Sequence, residues 1–209
     1  MRNYQDTENK ILGYLLRNPM ESKSMNKIAL DTKLSYVTVY KLIPSLLRKR
    51  IISSEKKGKA NFISINFEEA SIDSLSSAML YEKNKFIAKH PALILLTKEI
   101  EESLAGNFYT LLLFGSYAKE KSVKDSDIDL FFIIPRRQDI EYYKERINKA
   151  LKLHPRIKND FKLVSAQDFI EMLNQKYTVG LSVFQHGIVL LGVEHYYSMV
   201  KSYVRKKGY

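Results

Sequence analysis

Two aspartates stand two positions apart at the start of an apolar run. Asp127 and Asp129 are followed by Leu-Phe-Phe-Ile-Ile, a run typical of a buried strand. Because side chains alternate along a strand, both carboxylates share one face and lie ~7 Å apart along it. Their mutual repulsion and partial burial favour a bound divalent cation, Mg²⁺ or Mn²⁺, between them. Solvated aspartates at an exposed strand start are the alternative interpretation.

A Gly-Ser pair precedes these aspartates and ends another apolar run. The run Phe108–Phe114 has strand length, and Gly115 and Ser116 follow it directly. Glycine allows the backbone to approach a ligand closely, while a serine hydroxyl and the amides at a helix start donate hydrogen bonds to phosphate oxygens. The pair alone occurs in many turns, so its value lies in its position before Asp127.

The two motifs together resemble the signature of the DNA polymerase β-like nucleotidyltransferase superfamily, particularly its minimal members. The resemblance spans about residues 91–192 and implies a mixed β-sheet flanked by helices. It further implies that Gly115 and Ser116 hold a nucleoside triphosphate while Asp127 and Asp129 ligate two Mg²⁺ ions. An acceptor hydroxyl would then attack the α-phosphorus, pyrophosphate would leave, and the product would carry a nucleoside monophosphate.

Two departures from the family pattern leave the activity open. Lys119 and Glu120 stand where minimal members usually carry arginine and glycine, so Lys119 keeps a positive charge for the triphosphate without the bidentate fork. The strand predicted over 160–164 should supply a third catalytic carboxylate from its middle, but Lys162 stands there and Asp160 lies at its edge. Either Asp160 completes an active site, or Lys162 pairs with Asp127 or Asp129, replaces a metal charge and leaves an inactive one.

Composition narrows the class of protein. The chain of 209 residues has no cysteine, which excludes disulfides and thiolate zinc sites. It begins with a polar segment and has no apolar run near the ~20 residues of a membrane span, so we expect a cytoplasmic protein without membrane contact. Of the net charge of +11, residues 1–65 hold 13 lysines and arginines against 5 acids. This basic third favours nucleic acid as its partner.

The basic third contains patterns for three helices and a hairpin. Residues 8–17 and a segment from Ser24 to about Thr32 have helical spacing, and Ser35 caps a third helix that Pro44 should bend. Strand-like runs at 51–54 and 61–65 flank a basic turn. This order over residues 5–65 resembles the winged helix-turn-helix family.

That resemblance implies that the third helix enters the major groove of double-stranded DNA. Its exposed face would carry the base-contacting side chains, and the wing lysines would grip phosphate. The predicted DNA-binding residues are Ser35, Tyr36, Thr38, Tyr40, Lys41, Lys56, Lys57 and Lys59. Winged helices also bind proteins. In that alternative, Tyr36 and Tyr40 form contacts within a homodimer and do not bind DNA.

The sequence therefore predicts an α+β protein: a winged helix of three helices and a β-hairpin over 1–66, a linker helix over 67–90, and a small mixed-sheet nucleotidyltransferase-like domain with a C-terminal helix over 91–209. The expected function is a DNA-binding transcriptional regulator that binds NTP and magnesium and transfers a nucleoside monophosphate. The alternatives are an inactive fold that senses nucleotide or binds a partner, and an antitoxin-type enzyme that modifies a partner protein.

Overall fold

The computed structural model describes residues 4–119, 127–155 and 157–207. The chain divides into two compact units, one of residues 1–82 with 197–209 and the other of residues 83–196. The α+β class predicted from the sequence is confirmed. The domain boundaries predicted after residues 66 and 90 stay predictions, since the division into units falls inside two helices, Ile72–Lys89 and Val193–Lys207.

The first unit contains the predicted helices and hairpin. Its elements are α1 (Tyr4–Leu16), β1 (Lys23–Ser24), α2 (Met25–Thr32), α3 (Tyr36–Arg48), β2 (Ile52–Lys57), β3 (Ala60–Ile65), the start of α4 (Ile72–Lys89) and the end of α10 (Val193–Lys207). The short strand β1, which was not predicted, pairs with β3 and gives an antiparallel sheet in the order β1-β3-β2. Membership of the winged-helix family stays a prediction.

Local chemistry explains where α2 and α3 begin. The Ser24 hydroxyl accepts from the backbone N–H of Lys27, and the Ser35 hydroxyl accepts from that of Thr38, as expected of helix caps. The helix α3 continues through Pro44 to Arg48. The core of the unit is apolar, and its fully covered side chains include Ile11, Leu15, Ile28, Val39, Leu46 and Ile63.

The second unit is built on a four-stranded sheet. Its elements are the end of α4, α5 (Ala92–Ser103), β4 (Thr110–Phe114), α6 (Gly115–Ala118), β5 (Ile128–Ile134), a 3₁₀ turn (Arg137–Asp139), α7 (Ile140–Lys152), β6 (Asn159–Ser165), α8 (Ala166–Leu173), α9 (Val179–His186), β7 (Ile188–Leu191) and the start of α10. The strand order is β6-β5-β4-β7, with β5 parallel to β6 and the other pairs antiparallel. The predicted mixed sheet is therefore present.

The central strands of this sheet are covered on both faces. All residues from Leu130 to Ile134 and from Leu111 to Leu113 are buried, which requires helices on either side because successive side chains point to opposite faces. This burial fixes the register of β4 and β5, since a slip of one residue would bring Asp129 onto the position of a core side chain. None of the helices in the described segments combines the length and apolar character needed to cross a membrane.

Candidate functional site

The end of β4 and the start of β5 bring the predicted Gly-Ser turn to the predicted carboxylates. Phe114, the last residue of β4, is the direct partner of Asp129 in the antiparallel ladder. The chain then turns into α6 at Gly115, whose φ of +72° is a backbone conformation that favours glycine. Asp129 therefore lies beside the Gly115 backbone because of strand register, although 14 residues separate them in sequence.

The Asp129 carboxylate occupies the space that a side chain at residue 115 would need. A Cβ built on Gly115 would lie 1.9 Å from Oδ2 of Asp129 and 2.8 Å from its Cγ. Both distances are shorter than any real contact, so no other residue fits at position 115 while Asp129 keeps this position. The glycine and the aspartate thus depend on each other for their geometry.

The surroundings of Asp129 disfavour its ionised form. The pKa of the Asp129 carboxyl is raised, chiefly by burial, then by the negative charges of Asp160 and Asp127, while the Lys162 ammonium partly opposes the shift. The side chain is half-buried, whereas Asp127, just before β5, is exposed. A cation beside Asp129 would offset the repulsion that these neighbours create.

The neighbouring strand β6 places Asp160 and Lys162 near Asp129. In the parallel ladder Asp160 is the direct partner of Asp129, and Lys162 is the partner of Phe131 two positions along. Residues two apart on one strand share a face, so Asp160 and Lys162 both lie on the face of Asp129. The Lys162 ammonium pairs with the Asp160 carboxylate at 3.5 Å, rather than with Asp127 or Asp129 as the sequence suggested.

The other predicted phosphate ligands lie on the short helix after the turn. Ser116 and Lys119 are both exposed, with Ser116 in the first turn of α6 and Lys119 at its end. Exposed hydroxyl and ammonium groups are accessible to a ligand, although exposure alone assigns them no role. Glu120, the other loop residue that departs from the family pattern, lies outside the described residues.

A metal ion at this site would need ligands beyond the described side chains. No group of three acidic, histidine or cysteine side chains among the described residues could hold a metal ion. Mg²⁺ in phosphoryl-transfer sites commonly takes one or two carboxylates and completes its shell with water and substrate phosphates. Asp127 and Asp129 satisfy that requirement. Asp160 forms an exposed ion pair with Lys162 at 3.5 Å, which solvent screens.

Comparison with known families agrees with this geometry. Residues 98–195 match the family model described as Polymerase beta, Nucleotidyltransferase. Over these residues the chain is similar to nucleotidyltransferases, and we call this segment the nucleotidyltransferase-like domain. The match runs from the second half of α5 to the start of α10 and includes the Gly115 turn and Asp127, Asp129 and Asp160. No curated protein matches the chain.

Outside the nucleotidyltransferase-like domain, helix α3 carries the second set of predicted site residues. Tyr36 and Tyr40 are 45% and 59% exposed, and their rings stack with centroids 6.2 Å apart. Lys41 is also exposed. Thr38 is only half-exposed, because its hydroxyl lies 2.8 Å from that of Ser35 and its N–H donates to the Ser35 cap. Ser35 and Thr38 therefore have a structural role at the start of the helix.

Val37 is a candidate contact residue that the sequence interpretation missed. Its side chain is 58% exposed, although it is apolar and lies in the first turn of α3. Helical spacing contained the signal, since Val39, Leu42 and Ile43 form the buried face and Val37 lies opposite them.

The hairpin of β2 and β3 presents the predicted wing lysines. Lys56, Lys57 and Lys59 are all exposed around the turn at Gly58. Lys57 pairs with Glu55 at 3.0 Å and lies over the Phe62 ring, 5.7 Å from its centroid. The hairpin is thus a protruding basic element, with one of its three lysines partly neutralised.

Proposed function

We propose that the protein binds double-stranded DNA through its first unit, as a transcriptional regulator, and binds a magnesium-NTP complex in its nucleotidyltransferase-like domain. The observation that carries the nucleotide proposal is the packing of the Asp129 carboxylate into the space that Gly115 leaves empty. This arrangement keeps an acid beside an open backbone turn, within the segment that matches the nucleotidyltransferase family.

Each residue of the site has a role in this proposal. The backbone at Gly115 and the hydroxyl of Ser116 donate hydrogen bonds to phosphate oxygens, and Lys119 contributes a positive charge. Asp127 and Asp129 hold Mg²⁺, which when bound neutralises charge on the triphosphate. The half-buried position of Asp129 strengthens its interaction with a cation, because water screens the charge less there.

Two functions can follow from nucleotide binding, and one contact favours the second. In the first, the domain transfers a nucleoside monophosphate to a protein or other acceptor, and Asp160 acts as the third carboxylate. In the second, it binds nucleotide without transfer and serves as a sensor or partner-binding module. The contact of Lys162 with Asp160 favours the second because it places a lysine in the middle of β6, where the family pattern has a carboxylate. The ion pair itself is exposed and contributes little.

Nucleotide binding is tested by calorimetry with each NTP in the presence and absence of Mg²⁺. We expect magnesium-dependent binding by the parent protein and its loss when Asp127→Asn and Asp129→Asn are combined. The matched control combines Glu141→Gln and Glu145→Gln, two exposed acids on α7, and removes the same charge. Absence of heat with every NTP in the parent protein would overturn the proposal.

Transfer is tested with labelled NTPs, Mg²⁺ and a cell extract as the source of acceptors. A labelled product that disappears in the double-aspartate variant would establish the enzyme. Label that appears only with Lys162→Asp would support the sensor, since that variant restores a carboxylate to the middle of β6.

The DNA proposal depends on exposed positive charge and an exposed helix face. A mobility-shift series at increasing salt should show duplex binding that weakens steeply, with the slope of log K against log salt reporting about 0.9 per neutralised phosphate. Binding that is absent or insensitive to salt would overturn it. The alternative partner for Tyr36 and Tyr40 is a second copy of the chain. A sedimentation mass that increases with protein concentration, and no longer does so in Tyr40→Ala, would support this homodimer.

A further inference from the structure

The exposed face of α3 is largely apolar and aromatic, which is unusual for a surface that would contact base pairs. It carries Tyr36, Val37, Tyr40 and Lys41, all of which are exposed, and Val37 and Lys41 lie opposite the buried side of the helix. Three of the four side chains are apolar or aromatic. The inference below rests on the proposed DNA binding and concerns which base pairs that binding would select.

The first turn of α3 lacks the side chains that usually distinguish bases by paired hydrogen bonds. Guanine is commonly recognised by arginine or lysine, and adenine by asparagine or glutamine. Lys41 is the one such residue in this part of α3, and it lies a full turn beyond Val37. Arginine, asparagine and glutamine are absent from the first turns, and Arg48 comes only in the last turn. Ser35 and Thr38 hydrogen-bond to one another at the cap, which commits their hydroxyls locally.

Val37 has one available way to contact a base. Its two γ-methyl groups have no hydrogen-bonding capacity, and the side chain is 58% exposed in the first turn of the helix. The major-groove edge of DNA offers one apolar group, the C5 methyl of thymine. We propose that Val37 recognises a thymine methyl, so that the preferred duplex has an A·T pair opposite the start of α3.

Charge makes DNA the occupant that this face fits best. Lys33, Lys41 and Arg48 are exposed at or on the helix, and residues 1–65 hold 13 basic side chains against 5 acidic ones. Phosphate contacts would therefore flank the apolar stripe on a polyanion. An apolar protein partner would instead require these charged groups to lose water without compensation.

The test compares thymine with uracil, which differs only by the absent methyl group. A duplex enriched by the full chain from a random-sequence pool is synthesised again with uracil at single thymine positions. We expect one position at which the replacement weakens binding about fourfold, the effect of exposing one buried methyl group. In Val37→Ala this thymine-to-uracil difference should disappear, while Val37→Thr, which keeps one methyl group, should retain it.

Two controls separate the possible outcomes. Val37→Ala should not impair folding because the position is exposed and alanine favours helices. Lys41→Ala should weaken thymine and uracil duplexes by the same factor. Equal binding of both duplexes by the parent protein, or a difference that persists in Val37→Ala, would overturn the role of Val37 while leaving DNA binding intact. Failure to enrich any duplex would instead overturn the proposed DNA binding.

Discussion

The two candidate sites differ in how far the rest of the molecule constrains their residues. At the carboxylate site, strand register places Asp129 beside Phe114, and the carboxylate fills the space left by Gly115. On α3, by contrast, the residues that would contact DNA are exposed, and no packing fixes their identity. Burial and close contact therefore support the first site, whereas charge and exposure support the second. The variants below test this difference.

The largest effect is expected from a side chain at residue 115. Gly115→Ala should abolish magnesium-NTP binding. It should also destabilise the protein by about 2–5 kcal/mol, because alanine disfavours the left-handed backbone conformation and its Cβ would overlap the Asp129 carboxylate. The measurements are urea unfolding and nucleotide titration.

Gly106→Ala is the matched control for this variant. Gly106 also has a positive φ, of +78°, but a Cβ there would meet nothing within 4 Å. It should lose about 1–2 kcal/mol from the backbone term alone and bind nucleotide as the parent does. Equal nucleotide affinity in both variants would contradict the importance of the Gly115 contact.

A smaller effect is expected from the wing. Replacing Lys56, Lys57 and Lys59 by alanine should weaken duplex binding about tenfold and reduce the salt slope by up to about 3, since each phosphate contact contributes about 0.9. A triple replacement of Lys144, Lys149 and Lys152 on α7 removes the same charge and should leave the slope unchanged. A similar loss with both triple variants would mean that net charge, not the wing, governs binding.

Asp168 and Asp129 should affect the stability of the fold in opposite directions at neutral pH. Asp168 is expected to have the larger effect. Hydrogen bonds from Arg137 and Ser165 lower the pKa of Asp168 to about 2. A depressed pKa stabilises the fold above the ordinary carboxyl pKa, and this contribution is lost as pH falls from about 4 toward 2. Asp168→Asn should therefore cost about 1 kcal/mol at neutral pH, after allowance for solvent screening, and less in acid. A penalty that is the same at pH 7 and pH 3 in thermal melts would contradict this account.

The smallest effect is expected at Asp129 in metal-free buffer. Because its pKa is raised, its ionised form destabilises the fold at pH values above the folded-state pKa. Asp129→Asn should therefore raise the melting temperature slightly at neutral pH, and the gain should vanish below the ordinary carboxyl pKa. A lower melting temperature at neutral pH would show that the carboxylate has a structural role instead of a strained, functional one.

The sequence predicted the elements better than the contacts between them. Hydrophobic spacing and caps placed the third helix, the hairpin and the strand after Asp127, because these patterns are local. Strand β1 was missed since two residues carry no pattern, and α7 and α9 were not recognised. The aspartates and the glycine were identified from their motif, but the partner of Lys162 depended on register between β5 and β6, which no local pattern contains.

On α3 the exposure of three side chains was predicted correctly, but the local contacts of two others were not. Tyr36, Tyr40 and Lys41 were expected on the exposed face because of the winged-helix resemblance, and all three are exposed. Ser35 and Thr38 were assigned to DNA contact, although their hydroxyls take part in the helix cap. Propensity correctly identified Ser35 as a cap, but it could not show that the cap also uses the side chain of Thr38.

In the proposed complex, a nucleotide lies against the Gly115 turn, and Asp127 and Asp129 hold a cation beside it. A structure determined with Mg²⁺ and a non-hydrolysable NTP analogue tests this arrangement most directly. We predict triphosphate oxygens within hydrogen-bonding distance of the Gly115 and Ser116 backbone and one metal ion coordinated by both aspartates. A nucleotide bound elsewhere, or none at saturating concentration, would contradict the proposal.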